Sequence, residues 1–185
     1  MAYLLGTFPS AVMVARSRGV DILTQGSGNP GASNVARVLG SRWGALVFAL
    51  DALKGAIPAL AGLAVDTRPG AYVLVSAAVL GHMFPATRRF RGGKGVATMG
   101  GAMLVLHPLT SLVLLAVWMI VRKTTGKASL ASLVITFGLP LGLAMSGVPA
   151  WEIVWVVALC LLVLVRHIDN IKRLIARREL SARNP

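Results

Sequence analysis

Of the nineteen Lys and Arg residues in this chain, all but Lys54 and Arg68 fall in four clusters, and the stretches between clusters are apolar and nearly free of charge. The clusters run from Arg16 to Arg42, Arg88 to Lys94, Arg122 to Lys127 and Arg166 to Arg183. Basic loops stay on the cytoplasmic side of a membrane, while acidic residues have little influence on orientation. The pattern is therefore that of a polytopic membrane chain with one basic face. Composition agrees: 185 residues that are 56% hydrophobic, with a mean hydropathy of +0.74, carry more apolar surface than a soluble core of this size can hide. We read residues 1–185 as a single all-α integral membrane domain.

A net charge of +13 would ordinarily point to nucleic acid. A solvated basic surface is not interleaved with long uncharged runs, so nucleic acid is excluded in favour of anionic headgroups and anionic substrates at a membrane surface. The single Cys160 lies inside an apolar run, which leaves no disulfide and reads as a packing residue. The N-terminus lacks a basic n-region, and no removed signal peptide is expected.

Apolar legs run from Ala2 to Ala15, Trp43 to Val65, Ala71 to Phe84, Val96 to Leu106, Leu109 to Val121, Ala128 to Ser146 and Trp151 to Val165. About seven transmembrane helices follow, although the fourth and fifth legs are each shorter than the ~20 residues a full crossing needs. Joining those two into one span would put Arg122, Lys123 and Lys127 on the side opposite Arg88 to Lys94. Charge parity therefore makes His107-Pro108 a turn, with the N-terminus outside and the C-terminus cytoplasmic. Pro9, Pro58 and Pro140 predict kinks, and Gly138 with Gly142 predicts close helix packing. Asp51 and Lys54, three apart on one helical face deep in the second leg, read as a mutual pair ahead of a functional one. Past Arg166, Ile168, Ile171, Leu174 and Ile175 alternate with Lys172, Arg173, Arg177 and Arg178 as in an interfacial helix. Beyond Leu174 the stretch reads as a plain basic tail anchor.

Three polar segments interrupt this frame. The first, GSGNPGASNVARVLG from Gly26 to Gly40, is too rich in glycine to span, and its backbone can approach an anion closely. Ser27, Gly28, Asn29 and Asn34 are candidate binding residues, and Arg37 offers a bidentate fork suited to phosphate. The second, GHMFPATRRFRGGKGVAT from Gly81 to Thr98, places Gly92, Gly93 and Gly95 around Lys94 at the start of the fourth leg. Free amides and a positive helix end are expected there to meet an anion beside Lys94. Lys94 is followed by Gly95 rather than Ser or Thr, so this is no nucleotide-hydrolysing loop. Arg88, Arg89 and Arg91 serve equally well to hold topology, and His82 reads as a helix-packing histidine. The third segment joins Ser129, or its neighbour Ser132, to RHIDNIKRL, where His167 and Asn170 share a helix face. A histidine there can act as base or hydrogen-bond orienter.

In this order and spacing, GSGNPGASNV, GHMFP with FRGGKGVAT, and the Ser129 region with RH-x-x-NI-x-RL resemble the bacterial membrane glycerol-3-phosphate acyltransferases called PlsY, over nearly the whole chain. The one small departure is Ser33, where that family commonly has threonine. The resemblance implies transfer of a fatty acyl group from acyl phosphate to the 1-hydroxyl of glycerol 3-phosphate, giving lysophosphatidate and phosphate. This is the first step of phospholipid synthesis, on the cytoplasmic side of the bacterial plasma membrane. It also implies functional roles for Ser27, Arg37, Lys94, Ser129, His167 and Asn170, with no cofactor. An acyl phosphate carries a good leaving group, so direct attack by the glycerol hydroxyl needs no covalent enzyme intermediate. Asp169 projects roughly 200° from His167 on a helix, leaving the substrate's own phosphate or His167 as proton acceptor, the phosphate being favoured. No histidine has an aspartate five positions on, since Thr87, Leu112 and Lys172 stand there. The three histidines fall on different segments, so no metal site is expected. The rival from another class is a carrier of a phosphorylated metabolite, against which stands the lack of any duplicated half.

Overall fold

The computed structural model describes residues 1–65 and 67–181, so the Arg183 end of the last basic cluster lies outside the described residues. The described residues divide into two compact units, one of residues 1–105 and one of residues 106–181.

The first unit contains α1 (Ala2–Gly6), α2 (Ser10–Arg16), α3 (Ala32–Leu39), α4 (Ser41–Ala64), α5 (Arg68–Met83), a 3-10 turn (Ala86–Arg88) and α6 (Val96–Leu106), whose last residue begins the second unit. Pro9 splits the expected first leg, with α1 ending at Gly6 and α2 starting at Ser10. A proline removes a helical donor and breaks the helix, and the Phe8 carbonyl just before it accepts from the Ser10 amide at 3.0 Å and from Lys54 Nζ of α4. Lys54 also donates to Asp51 at 2.6 Å and to Ser10 Oγ at 2.8 Å, while Ser10 Oγ donates to Asp51. The expected pair is present, then, and it is part of a buried network that fixes the α1–α2 break against α4.

Small residues let the helices of this unit meet backbone to backbone. A Cβ at Gly6 or Gly81 would overlap the facing main chain of α5 or α1, and one at Gly55 or Gly101 would overlap that of α6 or α4. Such contact replaces the hydrophobic drive that lipid does not supply between helices. Around Ala11, Val12, Ile22, Val35 and Val47 an apolar cluster joins α2, α3 and α4. Gly44 lies so close to Ala36 that α3, the helix carrying Arg37, is docked directly on α4. Trp43 stacks under Arg18 at 4.7 Å and Arg42 at 5.4 Å, an aromatic–basic grouping suited to a membrane–water boundary.

The second unit contains α7 (Pro108–Thr125), α8 (Ala128–Met145), α9 (Ala150–Arg166) and α10 (Ile168–Ile175). The helix breaks at His107-Pro108 as expected, with Pro108 opening α7. Gly126, at φ +72, ends α7 and turns the chain into α8 through Lys127. A Cβ at Gly138 or Gly142 would stand 3.0 Å from Leu114 or 2.8 Å from Thr110, so the predicted close packing is between α8 and α7. His107 Nε2 lies 3.1 Å from Glu152 at the start of α9. Leu109, Leu112, Val113 and Ile120 on α7 remain 53–77% exposed, as side chains facing lipid would.

Every predicted leg is helical, the first in two pieces. Among the described residues, four helices are individually long and apolar enough to cross a membrane: α4, α5 with the turn after it, α7 and α8. A fifth is gained if α9 and α10, bent by 59°, are taken as one. At 1.5 Å per residue the eleven residues of α6 cover about half of the ~30 Å hydrocarbon core.

Candidate functional site

The first polar segment is organised from inside by Asn34. Its side chain is 1% exposed and donates to the carbonyls of Ile22 and Gln25 at 3.2 and 3.0 Å. Its Oδ1 accepts the Ser27 amide at 2.9 Å and an Arg37 guanidinium N–H at 3.1 Å. Gly26, at φ +59, must be glycine because a Cβ there would overlap this same oxygen. One buried amide thus holds the loop around Ser27, Gly28 and Asn29 and aims Arg37 alongside it. Asn34, expected as a binding residue, is fully used in arranging the donors.

The second segment begins where α5 ends. Tyr3 O–H donates to the Phe84 carbonyl at 2.8 Å and accepts the Ala86 amide at 3.0 Å, tying the helix end to α1. After the 3-10 turn, Arg89 and Phe90 adopt left-handed backbone at φ 50 and φ 61, reversing the chain. The Gly92 amide then meets the Met83 carbonyl at 3.2 Å and the Gly93 amide the His82 carbonyl at 3.1 Å. This corrects the expectation of free amides: Gly92 and Gly93 satisfy the terminal carbonyls of α5, which every helix end leaves unmet. The anion-directed features that remain are the half-buried Lys94 and the first turn of α6 opening after Gly95, which has φ +82. Pro30 of the first segment and Gly93 and Arg88 of the second line one shallow open cleft, together with Ser10, Lys54 and His82. Pro30 is the first segment's contribution to this cleft, and Ser27, Arg37 and Lys94 are not among the residues that line it.

The third segment lies in the second unit. His167 sits between α9 and α10, 2% exposed, with Nδ1 2.8 Å from the Val163 carbonyl. A carbonyl only accepts, so Nδ1 carries a proton and donates it to Val163. Ser129 Oγ and Asn170 Nδ2 both donate to Glu179 Oε1 at 2.7 Å, and Arg173 Nε donates to Oε2 at 2.9 Å. Burial pushes the Glu179 carboxyl up, but hydrogen bonds from Ser129, Asn170 and Arg173 with the Arg173 charge outweigh it and leave the group below the ordinary carboxylate range. Ser132 is used elsewhere, bonded to the Ala128 carbonyl and to Trp118, so Ser129 is the serine that faces α10. Glu179 was missed by the sequence reading, and it corrects the picture of a plain anchor beyond Leu174. The available signal was a lone acid in a run of arginines.

A family model described as glycerol-3-phosphate acyltransferase matches residues 1–177. A protein of that name from Aquifex aeolicus is 40% identical over 184 residues, covering 96% of this chain and 94% of that one. Its counterpart from Clostridioides difficile is 43% identical over 182 residues, covering 95% and 89%. The crystal structure of PlsY, an integral membrane glycerol 3-phosphate acyltransferase, superposes in its glycerol 3-phosphate form with a TM-score of 0.93 at 39% identity, covering 97% of this chain and 91% of that one. The lysophosphatidic acid form superposes with a TM-score of 0.90 at the same identity and coverage.

Proposed function

This chain belongs to the family of glycerol-3-phosphate acyltransferases, as an integral membrane protein of the PlsY type, and from that membership we propose that its acyl donor is an acyl phosphate. The glycerol 3-phosphate 1-hydroxyl oxygen attacks the acyl carbonyl carbon, the bond from that carbon to the phosphate oxygen breaks, and inorganic phosphate leaves. The acceptor's own phosphate takes the hydroxyl proton. Lys94, Arg37 and the Ser27 side chain, with the positive end of α6 after Gly95, hold phosphate and stabilise developing charge, while Gly28 and Asn29, whose amides bond the Gln25 carbonyl and Ser27 Oγ, shape the loop. His167 Nε2, Asn170 and Ser129 position the acceptor. Asn34, Gly92 and Gly93 act through the loops they hold. Residues 1–185 work as one domain in the bacterial plasma membrane, with the N-terminus outside and the basic mouth and C-terminus cytoplasmic.

The observation that carries the reading is the joint hold of Asn34 on the Ser27 amide and Arg37, which sets the Arg37 guanidinium beside the Ser27 loop of a membrane protein. Purified protein in detergent, given acyl phosphate and glycerol 3-phosphate, should form lysophosphatidate with no membrane gradient. Product from an acyl thioester and none from acyl phosphate would overturn the donor assignment; uptake into vesicles without product would overturn the enzyme itself.

A positioning role for His167 sets a second expectation. His167→Ala should lower kcat/KM by roughly 10²-fold, mainly through KM for glycerol 3-phosphate, and leave measurable turnover. Complete loss of transfer with unchanged glycerol 3-phosphate binding would move the proton from the substrate phosphate to the ring.

A further inference from the structure

Beneath the cleft of the first unit lies a charge network that the roles above do not use. Asp51 and Lys54 are 2% and 3% exposed, and Ser10 and His82 are 2% and 9% exposed. Asp51 Oδ1 takes hydrogen bonds from Lys54 and Ser10 and stands 3.7 Å from His82 Nδ1. A buried ion pair returns little net stability against its desolvation and is better suited to fixing one geometry. Facing it, on the last turn of α5, is the His82 imidazole. The loop of the second segment rests on that residue in two ways: its Gly93 amide donates to the His82 carbonyl at 3.1 Å, and the three atoms nearest to any Cβ at Gly93 are all of the His82 ring. Lys94 is the next residue along.

We propose that His82, oriented by Asp51 with Lys54 and Ser10, is a positioning residue for the acyl transfer, setting the Gly92–Gly95 loop and through it Lys94. Ser10, Lys54 and His82 of the network and Gly93 of the loop line one cleft. The ring fills the space that Gly93 leaves open, so a displaced ring lets the loop settle toward α5 and shifts the Lys94 ammonium. A displacement on the scale of 1 Å is worth up to about 10²-fold in rate. This inference rests on Lys94 holding a substrate phosphate.

The test is a kinetic cycle on full-length protein in detergent, with acyl phosphate and glycerol 3-phosphate varied separately and melting temperature recorded for each variant. His82→Ala should lower kcat/KM by roughly 10- to 100-fold, chiefly through KM for a phosphorylated substrate. In a Lys94→Arg background, where the cation is already misplaced, the same change should cost only a small further factor. Gly93→Ala should be impaired by collision with the ring, and His82→Ala/Gly93→Ala should regain part of that loss. His82→Gln, which keeps more of the volume, runs the same cycle where the alanine variant does not fold. Wild-type kinetics for folded His82 variants, an undiminished loss in the Lys94→Arg background, or no recovery in the double variant would each overturn the proposal. Unimpaired turnover by Lys94→Ala would instead refute the role given to Lys94, and the cycle separates the two failures.

Discussion

Lys94→Ala is expected to lower kcat/KM by about 10²- to 10³-fold with little change in melting temperature. The size follows from the role proposed for the residue, one preorganised donor directed at developing phosphate charge, of the kind whose removal costs that much elsewhere. The placement follows from the backbone. Gly95, with φ +82, lets the chain turn sharply into α6, so the lysine stands at the positive end of that helix, where an anion is doubly favoured. The side chain is only half-buried, so its truncation removes little packing. Lys94→Arg should restore part of the rate, since charge is kept while the planar fork reaches phosphate with a different geometry. Initial rates of phosphate release with saturating glycerol 3-phosphate, compared across the three proteins, decide the matter. Equal turnover by wild type and Lys94→Ala would take the lysine out of the chemistry.

How much of this was legible in the sequence depended on how local the cause was. Helices were legible because hydropathy and charge alternate over long windows, and the break at Pro9 because a proline acts on its own turn. The Asp51–Lys54 pair was legible from spacing alone, yet its partners were not. Ser10 and the Phe8 carbonyl come from more than forty residues away. Gly92 and Gly93 were misread for a related reason. Glycines before a helix look like free donors, and only the reversal through Arg89 and Phe90, two non-glycine residues in left-handed backbone, brings their amides under the end of α5. The phosphate roles proposed for Ser27, Arg37 and Lys94 come from the sequence, where the buried amide that arranges the first two was indistinguishable from any other polar residue of its motif. Glu179 was hidden most thoroughly. The helical period stops at Ile175, and the turn that carries the chain back is made at Arg177, at φ 55, sealed by the Arg178 amide on the Arg173 carbonyl at 2.8 Å. Nothing in an arginine announces positive φ.

That returning carboxylate carries the other large effect. Glu179→Ala should destabilise the protein by about 2–4 kcal/mol, because Ser129 and Asn170 lose a shared acceptor in a buried place and Arg173 loses its counterion. The lower part of the range is favoured by Arg173, whose side chain is 36% exposed and can regain water. For a chain of this length each kcal/mol moves the melting temperature by about 2–4 °C, a shift easily read in detergent. Glu179→Gln keeps one carbonyl acceptor and should fall between. The acid dependence has a definite sign. The folded carboxyl is held below its ordinary value by its three donors, so the unfolded chain binds its proton first as pH drops. The stabilisation is complete above the unfolded pKa of about 4.3 and is lost as pH falls through the lower folded value. The gap in melting temperature between wild type and Glu179→Gln should therefore be constant near neutrality and close in acid. Activity should fall along with stability, since the same oxygen that loses its place is what holds Ser129 and Asn170 together. A Glu179→Gln protein that melts like wild type yet has lost acyl transfer would mean that the carboxylate serves the reaction itself, with α8 and α10 held by packing alone.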